Sequence, residues 1–208
     1  YVPMNDLSLQ YKQIKSEVDK ALSEVIRNNS FILGAKVTEF ESAFAAFTKA
    51  KHCLGVSNGT DAIKLALRAG GIGTGDEVVT TPFTFGATVE AIVEVGAKPV
   101  LVDIEDSFYT IDVERLKAVV SSKTRAVIPV HLYGHPAEMQ PVIELATEQD
   151  LLVIEDASQA HGALYRGDVV GSIGDMGTFS FYPGKNLGAY GDAGGIVTND
   201  DELAHRLR

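Results

Sequence analysis

Seven short runs rich in β-branched residues punctuate the chain, at 52–56, 77–81, 99–103, 125–130, 151–155, 178–181 and 195–198. Amphipathic stretches of helical period, at 61–69, 84–95, 112–120 and 136–148, separate the first five. Strands alternating with helices imply βαβ crossovers, and therefore a mostly parallel sheet covered on both faces. The run Leu151-Leu152-Val153-Ile154 is apolar without alternation, as a strand buried on both sides requires. Upstream, the first 50 residues read as helical. Leu22, Val25 and Ile26 keep a helical spacing, as do Phe40, Phe44 and Phe47. Between them lies the turn cluster Asn28-Asn29-Ser30, followed by Phe31-Ile32-Leu33-Gly34. The glycine-rich Gly71-Ile72-Gly73-Thr74-Gly75 precedes a strand, whereas a dinucleotide fingerprint must follow one and open a helix, so it reads as a turn.

Composition narrows the function classes. With 208 residues, 45% of them hydrophobic, the chain can bury one substantial core. Eighteen Lys and Arg against 28 Asp and Glu leave a net charge of −10, which opposes binding along a nucleic-acid backbone. Backbone amides can still hold a small anion against that field. A single cysteine, Cys53, excludes a disulfide within the chain and fits a reducing cytoplasm. No apolar run approaches the roughly 20 residues that span a bilayer, and no signal-peptide pattern is evident. The chain opens at Tyr1 without an initiator Met and closes inside a capped helix start with no stop signal, which reads as a piece of something longer.

In parallel sheets ligands sit beyond the carboxyl ends of the strands. After the first run comes Ser57-Asn58-Gly59-Thr60-Asp61-Ala62, small polar residues leading directly into a helix. Such a segment can cup a phosphate on free amides, but any helix start prefers the same residue types, and an ordinary cap is the simpler reading. After the second comes Pro82-Phe83-Thr84-Phe85, whose aromatics could stack on a flat ring; on these residues alone core packing is simpler. The pair His131 and His135 lies in a Gly/Pro-bounded loop without a third ligand nearby, which favours a buried, hydrogen-bonded His over a metal. The fifth run delivers Glu155 and Asp156, acidic groups that are costly at the end of an apolar strand unless paired. A cationic ring nitrogen would suit, as would a cap or salt bridge. In Ser180-Phe181-Tyr182-Pro183-Gly184-Lys185-Asn186-Leu187-Gly188, a lysine is held in a turn behind an apolar strand. Held, partly desolvated lysines have lowered pKa values and form Schiff bases, although most single lysines are merely solvated. Together these pieces match what pyridoxal phosphate needs: a phosphate anchor, a stacking partner, a counter-ion for the ring nitrogen and a Schiff-base lysine.

On those motifs, with Phe-Ile-Leu-Gly at 31–34, Thr-Pro-Phe-Thr-Phe at 81–85, Pro-Val-His-Leu-Tyr-Gly at 129–134 and Glu-Asp-Ala-Ser-Gln-Ala-His-Gly at 155–162, the chain resembles the DegT-type nucleotide-sugar aminotransferases. The resemblance implies the aspartate-aminotransferase fold (fold type I), a three-layer α/β/α domain on a mostly parallel seven-stranded sheet. It implies a helical segment over 1–50 and a pyridoxal 5'-phosphate domain over 51–208, with a smaller C-terminal domain absent from this chain. Lys185 would carry the Schiff base and shuttle the proton, and Asp156 would bond the ring nitrogen. Gln159 would lie on the ring-hydroxyl side and Phe85 against the ring face. Gly59, Thr60 and Ser180 would hold the phosphate, and Tyr182 would touch substrate. Glutamate would be the amino donor, in a cytoplasmic homodimer whose partner completes the phosphate pocket. The segment from Tyr182 to Ala189, with Gly-Asp-Ala-Gly-Gly at 191–195, resembles the branch acting on dTDP-linked 3-keto-6-deoxy sugars. The other readings are a 4-keto sugar, a dehydratase (which would carry His in place of Lys185), a regulatory protein on the same scaffold, and a generic Rossmann-like nucleotide binder. The chain on its own would be inactive.

Overall fold

The structure, a computed structural model, describes residues 2–208. Two helices come first, α1 (Ser8–Arg27) and α2 (Ala35–Thr48), joined through the anticipated turn at 28–30. The strands and helices of the sheet region then alternate: β1 (His52–Val56), α3 (Gly59–Ala69), β2 (Glu77–Thr80), α4 (Ala87–Glu94), β3 (Lys98–Leu101), α5 (Val113–Val119), β4 (Thr124–Ile128), α6 (Met139–Gln149) and β5 (Leu152–Asp156). A hairpin of β6 (Leu164–Tyr165) and β7 (Asp168–Val169) follows, then β8 (Met176–Ser180), β9 (Gly194–Thr198) and α7 (Asp201–Leu207).

Seven strands form one sheet in the order β1-β9-β8-β5-β4-β2-β3. The pairs from β8 through β3 are parallel, and β9 runs antiparallel to both β8 and β1. Six strands therefore point one way and β9 alone is reversed. Its start lies at the edge where β1, β8 and β5 end. That single edge collects every segment singled out above as following a strand.

Alternation along the strands sorts the core into layers. Val78, Ile128, Ile154, Met176 and Ile196 pack under α3 and α4, with Ala62, Ile63, Leu67, Ala91 and Ile92. Val79, Val127 and Val153 face the other way, onto Leu116 of α5 and Met139, Val142 and Leu145 of α6. On that face Phe179 and Val197 meet Phe44 of α2. This is the expected three-layer α/β/α arrangement with a mostly parallel seven-stranded sheet.

Several boundaries differ from the sequence reading for local reasons. Residues 82–86 form a turn that delays α4 to Ala87. The third strand begins at Lys98, although Val102 still donates to Thr80 O at 2.8 Å. The β6–β7 hairpin is unanticipated: its two-residue turn, Arg166-Gly167, has φ of 53° and 99°, and an arginine gives no warning of a left-handed position. The glycine-rich segment at 71–75 is the expected turn between α3 and β2. Helix α1 forms where its periodicity places it, but Leu22 and Ile26 remain exposed, so the spacing foretells the helix and not its burial.

Candidate active site

A cavity of about 720 Å³ opens at the carboxyl edge of the sheet. All eight residues selected from the sequence line it: Gly59, Thr60, Phe85, Asp156, Gln159, Ser180, Tyr182 and Lys185.

The β1–α3 junction makes its floor. Asn58 caps α3 by accepting from the Asp61 N–H at 2.8 Å. The amides of Gly59 and Thr60 precede that bond and have no partner among the described residues. The segment caps its helix and also leaves free donors at the positive end of the helix dipole, which suits an anion. Gly59 is required by close approach: a Cβ there would stand 2.7 Å from Ser180 Cβ. Lys64 pairs with Asp61 and reaches Glu94 at 3.2 Å, which neutralises the carboxylate nearest the cup and pulls its pKa down.

Strand parity separates the two acidic residues at the end of β5. Glu155 shares the face of Val153 and is fully buried away from the cavity. Its carboxylate accepts from the N–H groups of Gly171, Ile173 and Gly174 at 2.7 to 2.8 Å, and from His131 Nε2 at 2.9 Å. His131 Nδ1 accepts from Ala137 N–H at 3.0 Å, which places the ring proton on Nε2. His131 is therefore the buried, hydrogen-bonded histidine expected, while His135 stacks on Phe108. No group of three or more metal-ligating side chains gathers among the described residues. Glu155→Leu strands four donors, and loss of one partner of a buried pair costs about 3–5 kcal/mol. Urea unfolding should report a loss of that size, and a change below about 1 kcal/mol would contradict the network.

Asp156 shares the face of Ile154 and points to the cavity side. Asp156 is 6% exposed, and its carboxylate accepts from Thr88 Oγ1 at 2.8 Å and from Ser158 N–H at 3.2 Å. Thr88 in turn lies 2.7 Å from Thr84 Oγ1. Sequence reasoning missed Thr88; the only trace was a threonine pair four residues apart where α4 begins, legible only once β5 is known to face α4.

Lys185 is fixed by its turn, its N–H donating to Tyr182 O at 2.8 Å. Among the described residues its Nζ makes no hydrogen bond or salt bridge. Burial lowers its pKa, and the Asp156 carboxylate partly opposes that shift. Behind Ser180, His161 packs against Phe179 and Phe181, and burial drives its pKa down to about 4, so it stays neutral. Gln159 Oε1 accepts from Tyr133 N–H at 2.8 Å, which sets the side chain along the cavity wall. Phe85 and Tyr182 are 71% and 59% exposed, so both rings stand at the mouth and not in the core. Core packing is thereby excluded for Phe85.

The chain matches the DegT/DnrJ/EryC1/StrS aminotransferase family over residues 12–208. It belongs to that family. It is 54% identical over 207 residues to a pleiotropic regulatory protein of Geobacillus stearothermophilus, covering 100% of this chain and 56% of that protein. It is 45% identical over 207 residues to the dTDP-3-amino-3,4,6-trideoxy-alpha-D-glucose transaminase of Streptomyces venezuelae, covering 100% and 55% respectively. The crystal structure of S. venezuelae DesV in complex with a ketimine intermediate superposes with a TM-score of 0.97 at 46% identity, over 100% of this chain and 56% of that one. The chain spans about half the length of the curated relatives it matches. DegT-type aminotransferases depend on pyridoxal phosphate. The residues gathered here fit that group: two unpartnered amides and a serine hydroxyl for a phosphate, a buried carboxylate, and a desolvated amine in one cavity.

Proposed function

We propose that the protein is a pyridoxal-phosphate-dependent aminotransferase that moves an amino group from glutamate to the keto group of a nucleotide-linked sugar. The observation that carries this reading is the shared cavity of Lys185 and Asp156: a half-buried amine of lowered pKa, and a carboxylate held in place by Thr88 and Ser158. The Gly59 and Thr60 amides and the Ser180 hydroxyl would bind the phosphate. Asp156 would accept a hydrogen bond from the ring nitrogen and hold a proton there. Phe85 would cover one ring face and Gln159 the ring-hydroxyl side. When bound, pyridoxal phosphate supplies an electron sink that no amino-acid side chain offers. Lys185 Nζ, whose pKa burial lowers, would attach the cofactor at rest. During turnover it would move a proton at the carbon that carries the transferred nitrogen. Donor and acceptor would use this one site in turn, which is ping-pong order.

The finer assignments belong to the same proposal. The residues around Lys185 and the 45% identity to a dTDP-3-amino sugar transaminase support a dTDP-3-keto-6-deoxyhexose as acceptor. Residues 51–208 form the cofactor domain, 1–50 form a helical segment laid on it, and the working unit is a cytoplasmic homodimer. No helix among the described residues is long and apolar enough to cross a membrane. A purely regulatory role, suggested by one relative's name, is disfavoured because Lys185 and Asp156 both stand in the cavity. The test is incubation of the full-length protein with glutamate and a panel of 3-keto and 4-keto sugar nucleotides. Aminated 3-keto product is expected. Product from 4-keto sugars alone would overturn the assigned position, and no amination at all would overturn the aminotransferase reading.

A further inference from the structure

Beside the main cavity lies a second of about 420 Å³, lined by Tyr133, Gln159, Tyr182, Gly184, Lys185 and Asn186. Gln159, Tyr182 and Lys185 line both, so the two spaces are continuous at the lysine. Three aromatic rings form a rim outward from this second space. Phe83 meets Tyr133 edge-on at 6.2 Å between centroids, and meets Tyr109 at 6.1 Å. These rings are 40% to 79% exposed, far from what apolar side chains adopt when they serve a core.

We propose that the Phe83–Tyr109–Tyr133 rim is the stacking seat for the flat base of a nucleotide-linked substrate. The inference rests on the aminotransferase reading for the sugar end and deepens it at the nucleotide end. Both tyrosines sit in the left-handed backbone region, at φ of 60° and 56°. Non-glycine residues adopt that region at a cost, and such positions cluster at ligand sites. The Tyr133 backbone is also tied to the main cavity, because its N–H donates to Gln159 Oε1. Charge points the same way. Among the described residues Lys64 and Lys185 are the only Lys or Arg side chains lining either cavity, and Lys64 is already paired with Asp61 and Glu94. With a net charge of −10 the chain offers a diphosphate little free cationic attraction. Stacking on exposed aromatics is a contact available to any base, and it needs no cation.

The test is calorimetric titration of the full-length, cofactor-loaded protein with dTDP and with inorganic pyrophosphate. Wild type is expected to bind dTDP at least about 10-fold more tightly than pyrophosphate. Tyr133→Asn removes the ring with a residue that tolerates the left-handed backbone. It should weaken dTDP about 10-fold and leave pyrophosphate unchanged, while Tyr133→Phe should bind dTDP like wild type. Equal affinity for the two ligands in wild type, or equal weakening of both in Tyr133→Asn, would overturn the proposal. A drop in sedimentation mass for Tyr133→Asn would also overturn it, by assigning the rim to contact with a second copy. Amination of the bound cofactor by glutamate is read separately by absorbance. Its failure alongside intact dTDP discrimination would sink the transaminase reading and leave the base seat standing.

Discussion

Lys185→Ala is expected to lower amino transfer by at least about 10³-fold, because in the proposed reaction one side chain would both attach the cofactor and move the proton. The variant should still bind pyridoxal phosphate non-covalently, since Gly59, Thr60 and Asp156 belong to other strand ends and Ser180 is the last residue of β8, ahead of the lysine turn. Lys185→Arg should behave like the alanine variant, although it restores a positive charge: a guanidinium stays protonated and cannot form an imine. Lys64 also lines the cavity but is held in ion pairs, and its pKa is raised by Asp61, so it cannot substitute. Lys185 is the reverse, an amine without a partner among the described residues and with its pKa lowered by burial. Steady-state assays on the full-length protein would read the loss. A variant retaining more than about a tenth of the activity would remove Lys185 from the chemistry.

Asp156→Asn is expected to lower turnover by about 10²–10³-fold while cofactor binding persists, the range for losing one aimed electrostatic group. Its neutral amide cannot hold a proton on a ring nitrogen as a carboxylate does. The substitution also has a signed effect on Lys185. The Asp156 charge favours the ammonium form and so raises the lysine's pKa against the larger lowering from burial. Removing that charge lowers the pKa further, so the neutral amine becomes available at lower pH. In cofactor-free protein, the pH midpoint for acylation of Lys185, followed by mass spectrometry, should move down in Asp156→Asn. A midpoint that moves up would show that the two groups do not interact as described. Thr88→Val leaves the carboxylate and its charge in place with one positioning donor fewer, so a smaller loss of turnover than in Asp156→Asn is expected, without the downward shift of the Lys185 midpoint.

Most of the candidate site was legible in the sequence because all of its residues but Thr88 lie at or just beyond the carboxyl end of a strand, and strand ends can be read from β-branched runs. Gly59, Asp156 and Lys185 lie far apart in the chain, yet parallel topology returns all three to one edge. What was not legible depends on which way a strand faces its neighbours. From the sequence, Glu155 and Asp156 form one acidic pair at the end of an apolar run. In the fold, parity sends Glu155 into a network with His131 and the Gly171–Gly174 backbone, and turns Asp156 toward Thr88. No periodicity within 151–155 foretells that division, since both faces of this strand are apolar. Phe85 was ambiguous for a related reason, because a ring near a helix start packs inward or opens to a cavity according to where the turn at 82–86 directs it. The left-handed tyrosines at 109 and 133 gave no signal, as neither is a residue that favours positive φ.

In the proposed function one amine, Lys185 Nζ, would hold the cofactor. The full-length protein, saturated with pyridoxal phosphate and treated with borohydride, should carry a stable phosphopyridoxyl group that peptide mapping by mass spectrometry finds on Lys185 and no other lysine. A reduced adduct on Lys64 or elsewhere, or protein that takes up no cofactor, would contradict it.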